Sequence, residues 1–93
     1  MLSDSPVVTV HIPTPLRSYA GGHAELMASG ETVGEIFETI SHEYPAMRVH
    51  LMLGKSELAP GLAVFLGGRS VRDLQGLATP IDQEELISVV LTG

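Results

Sequence analysis

Residues 86–93 read Leu86-Ile87-Ser88-Val89-Val90-Leu91-Thr92-Gly93, and this stretch decides how the rest of the chain must fold. Leu86–Leu91 has the length of a strand, and its apolar residues fall on both parities. A strand with one face in water alternates apolar and polar, whereas a strand flanked on both sides reads as a continuous apolar run. The stretch is expected to be a central strand, with the residues after it leaving the middle of a sheet rather than a frayed edge. Most chains finish in a few disposable polar residues. Here a residue with no side chain, Gly93, follows the strand after Thr92.

A central strand needs neighbours, and four other stretches supply candidates. In residues 7–12, VVTVHI, Val8, Val10 and Ile12 share one face and Thr9 and His11 the other, a period-two pattern that Pro13 and Pro15 end. RSYAGG follows as a loop, with Gly21-Gly22 free to take positive φ. Residues 23–28, HAELMA, would place Ala24, Leu26 and Ala28 on one face of a second strand. Residues 62–66, LAVFL, form a dense apolar run, and Gly67-Gly68 turns it into a short partner at Arg69-Ser70-Val71.

One helix is clear. Thr32 precedes Glu35 by three residues, the capping-box spacing. Val33, Ile36, Phe37, Ile40 and Tyr44 then recur as one apolar stripe at helical period, and Pro45 stops it. Gly34 lies inside this helix at some cost to its stability. Residues 46–53, AMRVHLML, fit a short helix or a strand equally, and GKSELAPG reads as a loop. RDLQGLATPIDQEE reads as a loop with room for a helical turn near Leu74–Leu77. One helix cannot cover both faces of a sheet. The expected class is therefore α+β, a mixed sheet of four to five strands with one main helix across one face.

Composition narrows the function. Ninety-three residues make one domain, 1–93, with a C-terminal tail expected from about residue 89. The formal net charge is −6, and the five basic residues, Arg17, Arg48, Lys55, Arg69 and Arg72, are scattered. Such a chain repels phosphate backbones and lacks a basic patch for anionic lipid, so neither nucleic acid nor membrane is expected as a partner. A basic protein surface is the partner its charge favours. No cysteine is present, which removes disulfides, thiolate metal sites and cysteine nucleophiles together. No basic, apolar leader opens the chain and no run approaches the ~20 apolar residues of a bilayer span, so a cytoplasmic location is expected.

The chemistry expected of an enzyme is missing. His11, His23, His42 and His50 show no His-x-His or i, i+4 spacing, so no metal is expected. Gly54-Lys55-Ser56 ends like a phosphate-binding loop, but that pattern needs a glycine where Val49 stands. Asp82, Glu84 and Glu85 read as a solvated acidic patch rather than an acid–base pair. No nucleophile motif occurs. The chain is expected not to be an enzyme.

Three stretches carry a resemblance. VTVHIPTPLRSYAGGHAEL at 8–26, GETVGEIFETISHEYP at 30–45 and AVFLGGRSVRDLQGLATPI at 63–81 resemble, in that order, the first hairpin, the helix and the later hairpin and loop of ubiquitin-like sulfur carriers. These are the β-grasp proteins of the MoaD/ThiS family, and the likeness is strongest to carriers of the CysO type in cysteine biosynthesis. The resemblance implies a carrier that works as the substrate of partner enzymes. A ubiquitin-activating-like adenylyltransferase would use ATP to adenylate Gly93, and sulfur would convert it to a thiocarboxylate. A sulfur-accepting synthase, of cysteine or molybdopterin type, would take the sulfur, and a metallopeptidase would trim the tail where extra residues are made. No cofactor would be bound by the chain itself; the ATP belongs to the activating partner. Leu91 and Thr92 would thread the partner's channel, and Phe65 and Arg72 are candidates for docking it. An alternative is a ubiquitin-like modifier or interaction domain with no sulfur role. The family pattern ends Gly-Gly, whereas this chain has Thr92-Gly93, and the branched Cβ of Thr92 is bulky for a narrow channel.

Overall fold

The computed structural model describes residues 7–54, 57–81 and 86–92. Five strands form one mixed sheet. They are β1 (Val7–His11), β2 (Glu25–Ser29), β5 (Leu62–Leu66), β6 (Arg69–Ser70) and β7 (Leu86–Leu91), in the order β2-β1-β7-β5-β6. β7 is the central strand as expected, but not for the expected reason: only its inward parity is core, and Leu86 and Val90 on the outer face are exposed. It pairs parallel with β1 and antiparallel with β5. A small second sheet joins β3 (Met52–Leu53) to β4 (Glu57–Leu58).

Helix α1 (Val33–Glu43) crosses one face of the large sheet. Its Thr32 hydroxyl accepts the Glu35 amide at 3.1 Å, and the Glu35 carboxylate accepts the amide of Glu31 at 2.9 Å. This is a capping box displaced by one residue on its return arm, and it satisfies amides that the first helical turn cannot. Val33, Ile36, Phe37 and Ile40 are buried against the inward residues Val8, Val10, Leu26, Ala28, Val64, Ile87 and Val89. The core is almost wholly aliphatic, because Phe37 is its only fully buried aromatic ring.

Gly34 has a purpose that helix propensity hides. A Cβ built there would lie 3.0 Å from the carbonyl oxygen of Leu77 and 3.3 Å from its Cβ. The 3-10 turn Gly76–Ala78 packs directly on the helix at that point. The segment is held in place by Val33 N–H to Thr79 O at 3.0 Å and Ile81 N–H to Glu31 O at 2.8 Å.

Several expectations need correcting. The supposed loop after β1 contains a 3-10 helix, Thr14–Ala20, which Pro15 opens rather than forbids, since an amide at its first turn would lack a partner. Leu16 and Ala20 of that helix are buried. Ala24 lies outside β2 and is exposed, so only Leu26 and Ala28 hold that strand's inner face. The ambiguous stretch is both things in turn: a 3-10 turn at Pro45–Met47, helix α2 (Arg48–Leu51), then β3. The loop before β5 contains β4, and the later loop contains two 3-10 turns, Val71–Asp73 and Gly76–Ala78. Residues 89–91, assigned to a tail, are paired strand. Lys55, Ser56, Asp82, Glu84, Glu85 and Gly93 lie outside the described residues.

Candidate functional site: the end of the central strand

Two strands hold β7, but over different lengths. β1 reaches it only from Thr9↔Leu86 to His11↔Ser88, whereas β5 runs beside it from Leu66↔Ile87 to Leu62↔Leu91. Beyond Ser88, β5 is its only partner among the described residues. The pairing goes one step further, because the Thr92 amide donates to Gly61 O at 2.8 Å. Gly61 takes φ +77°, a left-handed corner that suits glycine, and so turns the chain into β5 at the point where β7 leaves it. Gly93 follows Thr92 in the chain and is outside the described residues.

The bond pattern fixes the direction of every carbonyl on β5. Thr92 donates to Gly61 O, and Gly67 N–H donates to Leu86 O at 2.9 Å. Antiparallel bonds fall on alternate residues. The odd-numbered residues 61–67 therefore turn their polar groups towards β7, and Leu62 turns its carbonyl towards the opposite edge. β6, two residues long, pairs only with Phe65 and Leu66 and does not reach so far. Arg72 fills the gap, with Nη2 donating to Leu62 O at 3.1 Å. Its guanidinium serves where a neighbouring strand would have served, since an open carbonyl on a strand edge invites another chain. Arg17 has a similar role, donating from Nε to Ile12 O at 3.0 Å.

The outer face of the sheet, opposite α1, carries Val7, Met27, Leu86 and Val90, all exposed, with Ala63 and Phe65 half-buried. Phe65 sits on this face opposite Ser88, and Leu66 turns inward to the core. A polar contact crosses the face, His11 Nε2 to Glu25 Oε2 at 2.8 Å. Leu91, Thr92 and Arg72 thus meet around the Gly61–Leu62 corner. Phe65 is on the same strand but three residues away, about 10 Å at strand rise. Gly61 and Val90 were not singled out from the sequence. The Pro60-Gly61 pair was the available signal for the corner.

A broad hollow lies elsewhere, on the outer side of α1, lined by Glu38, Thr39, Ser41, His42, Pro45 and Arg48. Arg48 fills part of it with a two-pronged bond to Glu38, at 2.9 and 3.2 Å, and this bond holds the guanidinium's proton more tightly than usual. The hollow is remote from the strand end and its chemistry is an ordinary surface ion pair. Among the described residues no three His, Asp or Glu side chains converge as a metal site would need, and no helix is long and apolar enough to cross a membrane.

A five-stranded mixed sheet with its last strand in the centre and one helix across a face defines a ubiquitin-like β-grasp protein. The sulfur carrier protein CysO of Mycobacterium tuberculosis is 32% identical over 85 residues, 89% of this chain and 91% of that protein. Its crystal structure superimposes with a TM-score of 0.85 at 31% identity, covering 92% of this chain and 99% of that one. A chain of the BexX/CysO complex of Amycolatopsis orientalis matches with a TM-score of 0.86 at 27% identity over 92% of this chain and 96% of that one. The small archaeal modifier protein 1 of Methanosarcina acetivorans matches with a TM-score of 0.80 at 29% identity, over 96% of this chain and 95% of that one. No protein-family model matches. The chain belongs to the CysO family of sulfur carrier proteins.

Proposed function

We propose that the chain carries sulfur on the C-terminal carboxyl of Gly93 and delivers it in a biosynthesis of cysteine or molybdopterin type. A carboxylate is inert at neutral pH, so a ubiquitin-activating-like adenylyltransferase must activate it. A carboxylate oxygen attacks the α-phosphorus of ATP and pyrophosphate leaves, giving the acyl-adenylate. Sulfide, supplied by a donor, then attacks the carbonyl carbon and AMP leaves, giving the thiocarboxylate. On a synthase the thiocarboxylate sulfur displaces a leaving group from the acceptor substrate, and water then cleaves the resulting thioester, leaving the sulfur on the acceptor and returning the carboxylate. A tail-trimming metallopeptidase is a further partner where the chain is made with extra residues.

The observation that carries this reading is family membership along nearly the whole chain, joined to a β7 that stays paired with β5 as far as Thr92, the residue before Gly93. The apolar outer face around Phe65 suits the docking of the activating enzyme. Arg72, bonded to Leu62 O, supports the strand beside the tail.

The test is the intact mass of the protein after incubation with ATP, sulfide and the host's activating enzyme. One terminal oxygen should be replaced by sulfur, and a chain lacking Gly93 should fold unchanged and stay unmodified. Normal activation of the shortened chain would refute the assignment to Gly93. The likeness to an archaeal modifier protein favours one second reading, transfer of the activated carboxyl to a protein lysine. That reading expects isopeptide-linked conjugates in place of the thiocarboxylate.

A further inference from the structure

We infer that the outer edge of β2 is a docking site for an extended strand of a partner protein, one that alternates basic and apolar residues and adds to the five-stranded sheet beside β2. The site lies apart from the end of β7 and does not depend on which group of the chain carries sulfur. The Ile12 amide donates to Ala24 O at 2.8 Å. From that pair the register continues through His11↔Glu25, Val10↔Leu26, Thr9↔Met27, Val8↔Ala28 and Val7↔Ser29. In an antiparallel pair, opposed residues alternate between exchanging both bonds and exchanging none. Val10 and Leu26 therefore exchange bonds, as do Val8 and Ala28. Glu25, Met27 and Ser29 turn their N–H and C=O groups the other way, and β2 is the last strand of the sheet on that side. Among the described residues, only Ser29 O of these groups meets a partner, the Thr39 hydroxyl at 3.1 Å.

Elsewhere the molecule covers such groups. β6 pairs with Phe65 and Leu66, Arg72 donates to Leu62 O, and Arg17 donates to Ile12 O. β2 reads Glu-Leu-Met-Ala-Ser, with no proline or lysine, and its register with β1 has no bulge. Proline, lysine and bulges are the usual means of keeping other chains from an edge. Met27, at the centre of β2, is 70% exposed on the outer face. A bare edge of this length is a template for strand addition, in which main-chain bonds hold the incoming chain and alternate side chains select it.

The surroundings fix the chemistry of that chain. Helix α1 runs back beside β2. Glu35 lies against Gly30, where an added Cβ would come within 2.8 Å of the Glu35 Cβ, Thr39 reaches Ser29, and Tyr44 lies at Gly21. Residues four apart share one side of a helix. Glu35, Thr39 and Glu43 thus form an exposed row along the edge. Glu25 flanks it on the outer face, where it meets His11. Neither β2 nor α1 contains lysine or arginine. A strand added about 4.8 Å from β2 turns alternate residues to the α1 side, where lysine or arginine meets Glu35 and Glu43. Its other residues lie beside Met27, where apolar side chains fit. A second copy of this chain fits poorly, because each copy has a net charge of −6 and would bring the same acidic row against its twin.

The probe is the peptide acetyl-Lys-Val-Lys-Val-Lys-Val-Lys-amide, added to the full chain with amide exchange and chemical shifts followed by nuclear magnetic resonance. In the free protein the Met27 and Ser29 amides should exchange at least about a hundredfold faster than those of Leu26 and Ala28, and equal protection overturns the open edge. The peptide should shift Met27 and Ser29 saturably, slow their exchange at least about tenfold and leave Ser70, at the opposite edge, unchanged. No saturable shift at β2 overturns the site. The same peptide with glutamate in place of lysine should not bind, and equal binding overturns the charge assignment. Met27→Pro removes an N–H that the sheet does not use, which an edge strand tolerates, and should weaken the peptide at least about tenfold. Should that variant fail to fold, Met27→Lys decides instead, since it keeps the backbone and sets a like charge against the probe. Unchanged binding by the folded variant overturns the site. Dimers of the free protein that Met27→Pro or Met27→Lys abolishes would overturn the basic partner in favour of a second copy.

Discussion

Replacing Gly34 by alanine sets two rules against each other, and the structure says which wins. Glycine in a helix costs up to about 1 kcal/mol relative to alanine, so even at Gly34, the second residue of α1, helix propensity alone predicts that Gly34→Ala stabilises the protein. The new methyl group, however, would stand 3.0 Å from Leu77 O and 3.3 Å from Leu77 Cβ. To make room the Gly76–Ala78 turn must retreat by a few tenths of an ångström. It is not free to do so. Thr79 and Ile81 are bonded to residues 33 and 31 at the head of the helix, Gln75 N–H donates to Thr79 Oγ1 at 3.0 Å, and Leu77 is itself buried. Forcing a methyl into a packed site costs about 1–3 kcal/mol. Taking the propensity gain from the middle of that range leaves a net loss of about 1 kcal/mol. In a domain of this size that lowers the melting temperature by about 4–8 °C. Thermal unfolding followed by far-ultraviolet circular dichroism measures it, with urea unfolding to check that the m-value is unchanged. A variant that melts above the natural protein would refute the close-approach argument and restore Gly34 to an ordinary helix glycine.

Three other outcomes follow from particular contacts. Thr32→Ala removes the acceptor of the Glu35 amide and should cost about 1 kcal/mol in urea unfolding, with α1 still formed. Gly67 takes φ +62° at the first central position of the β5–β6 turn, whereas Gly68 has open space around it and no positive φ in the left-handed range. Gly67→Ala should therefore destabilise by about 1 kcal/mol and Gly68→Ala stabilise by about 0.5 kcal/mol, the two measured side by side. Phe65→Ala should leave the melting temperature within a few degrees, since that ring is half-buried on the outer face, but raise the KM for the carrier with the activating enzyme. An unchanged KM would remove Phe65 from the docking surface.

Elements whose pattern repeats could be read without the fold. The boundaries of β7 were visible in the apolar run 86–91, and α1 in the Thr32–Glu35 spacing and its stripe. Elements too short to repeat could not. β3 and β4 have two residues each, and no period can be seen in two residues; β6, equally short, was read from the Gly67-Gly68 turn instead. Pro15 looked like a stop because proline ends strands, yet it opens a 3-10 helix. At the strand end, the parity of Phe65 and Leu66 was legible, since it follows from alternation alone. The partner of Arg72 was not, because a carbonyl ten residues back comes within reach only once β6 proves too short to cover it. The tail expected from about residue 89 overlapped that strand, and the register with β5 settles the overlap in favour of the strand.

The central position of β7 also bears on how the protein is made. β1 and β2 form one hairpin and β5 and β6 another, and no direct β1–β5 pairing joins them in the sheet. They become one sheet only when β7 slips between them, and β7 is the domain's last strand to leave the ribosome. Its parallel pairing with β1 joins residues 9–11 to residues 86–88, nearly the full length of the chain apart. Contacts so distant in sequence form late and slowly. Until then the valines of β1 and the apolar run of β5 have no strand between them, and the nascent chain must stay soluble with both exposed. The strand that leads to the proposed carrier carboxyl is thus the one whose arrival completes the fold, so a chain broken off before it should yield two separate hairpins and a helix without the five-stranded sheet.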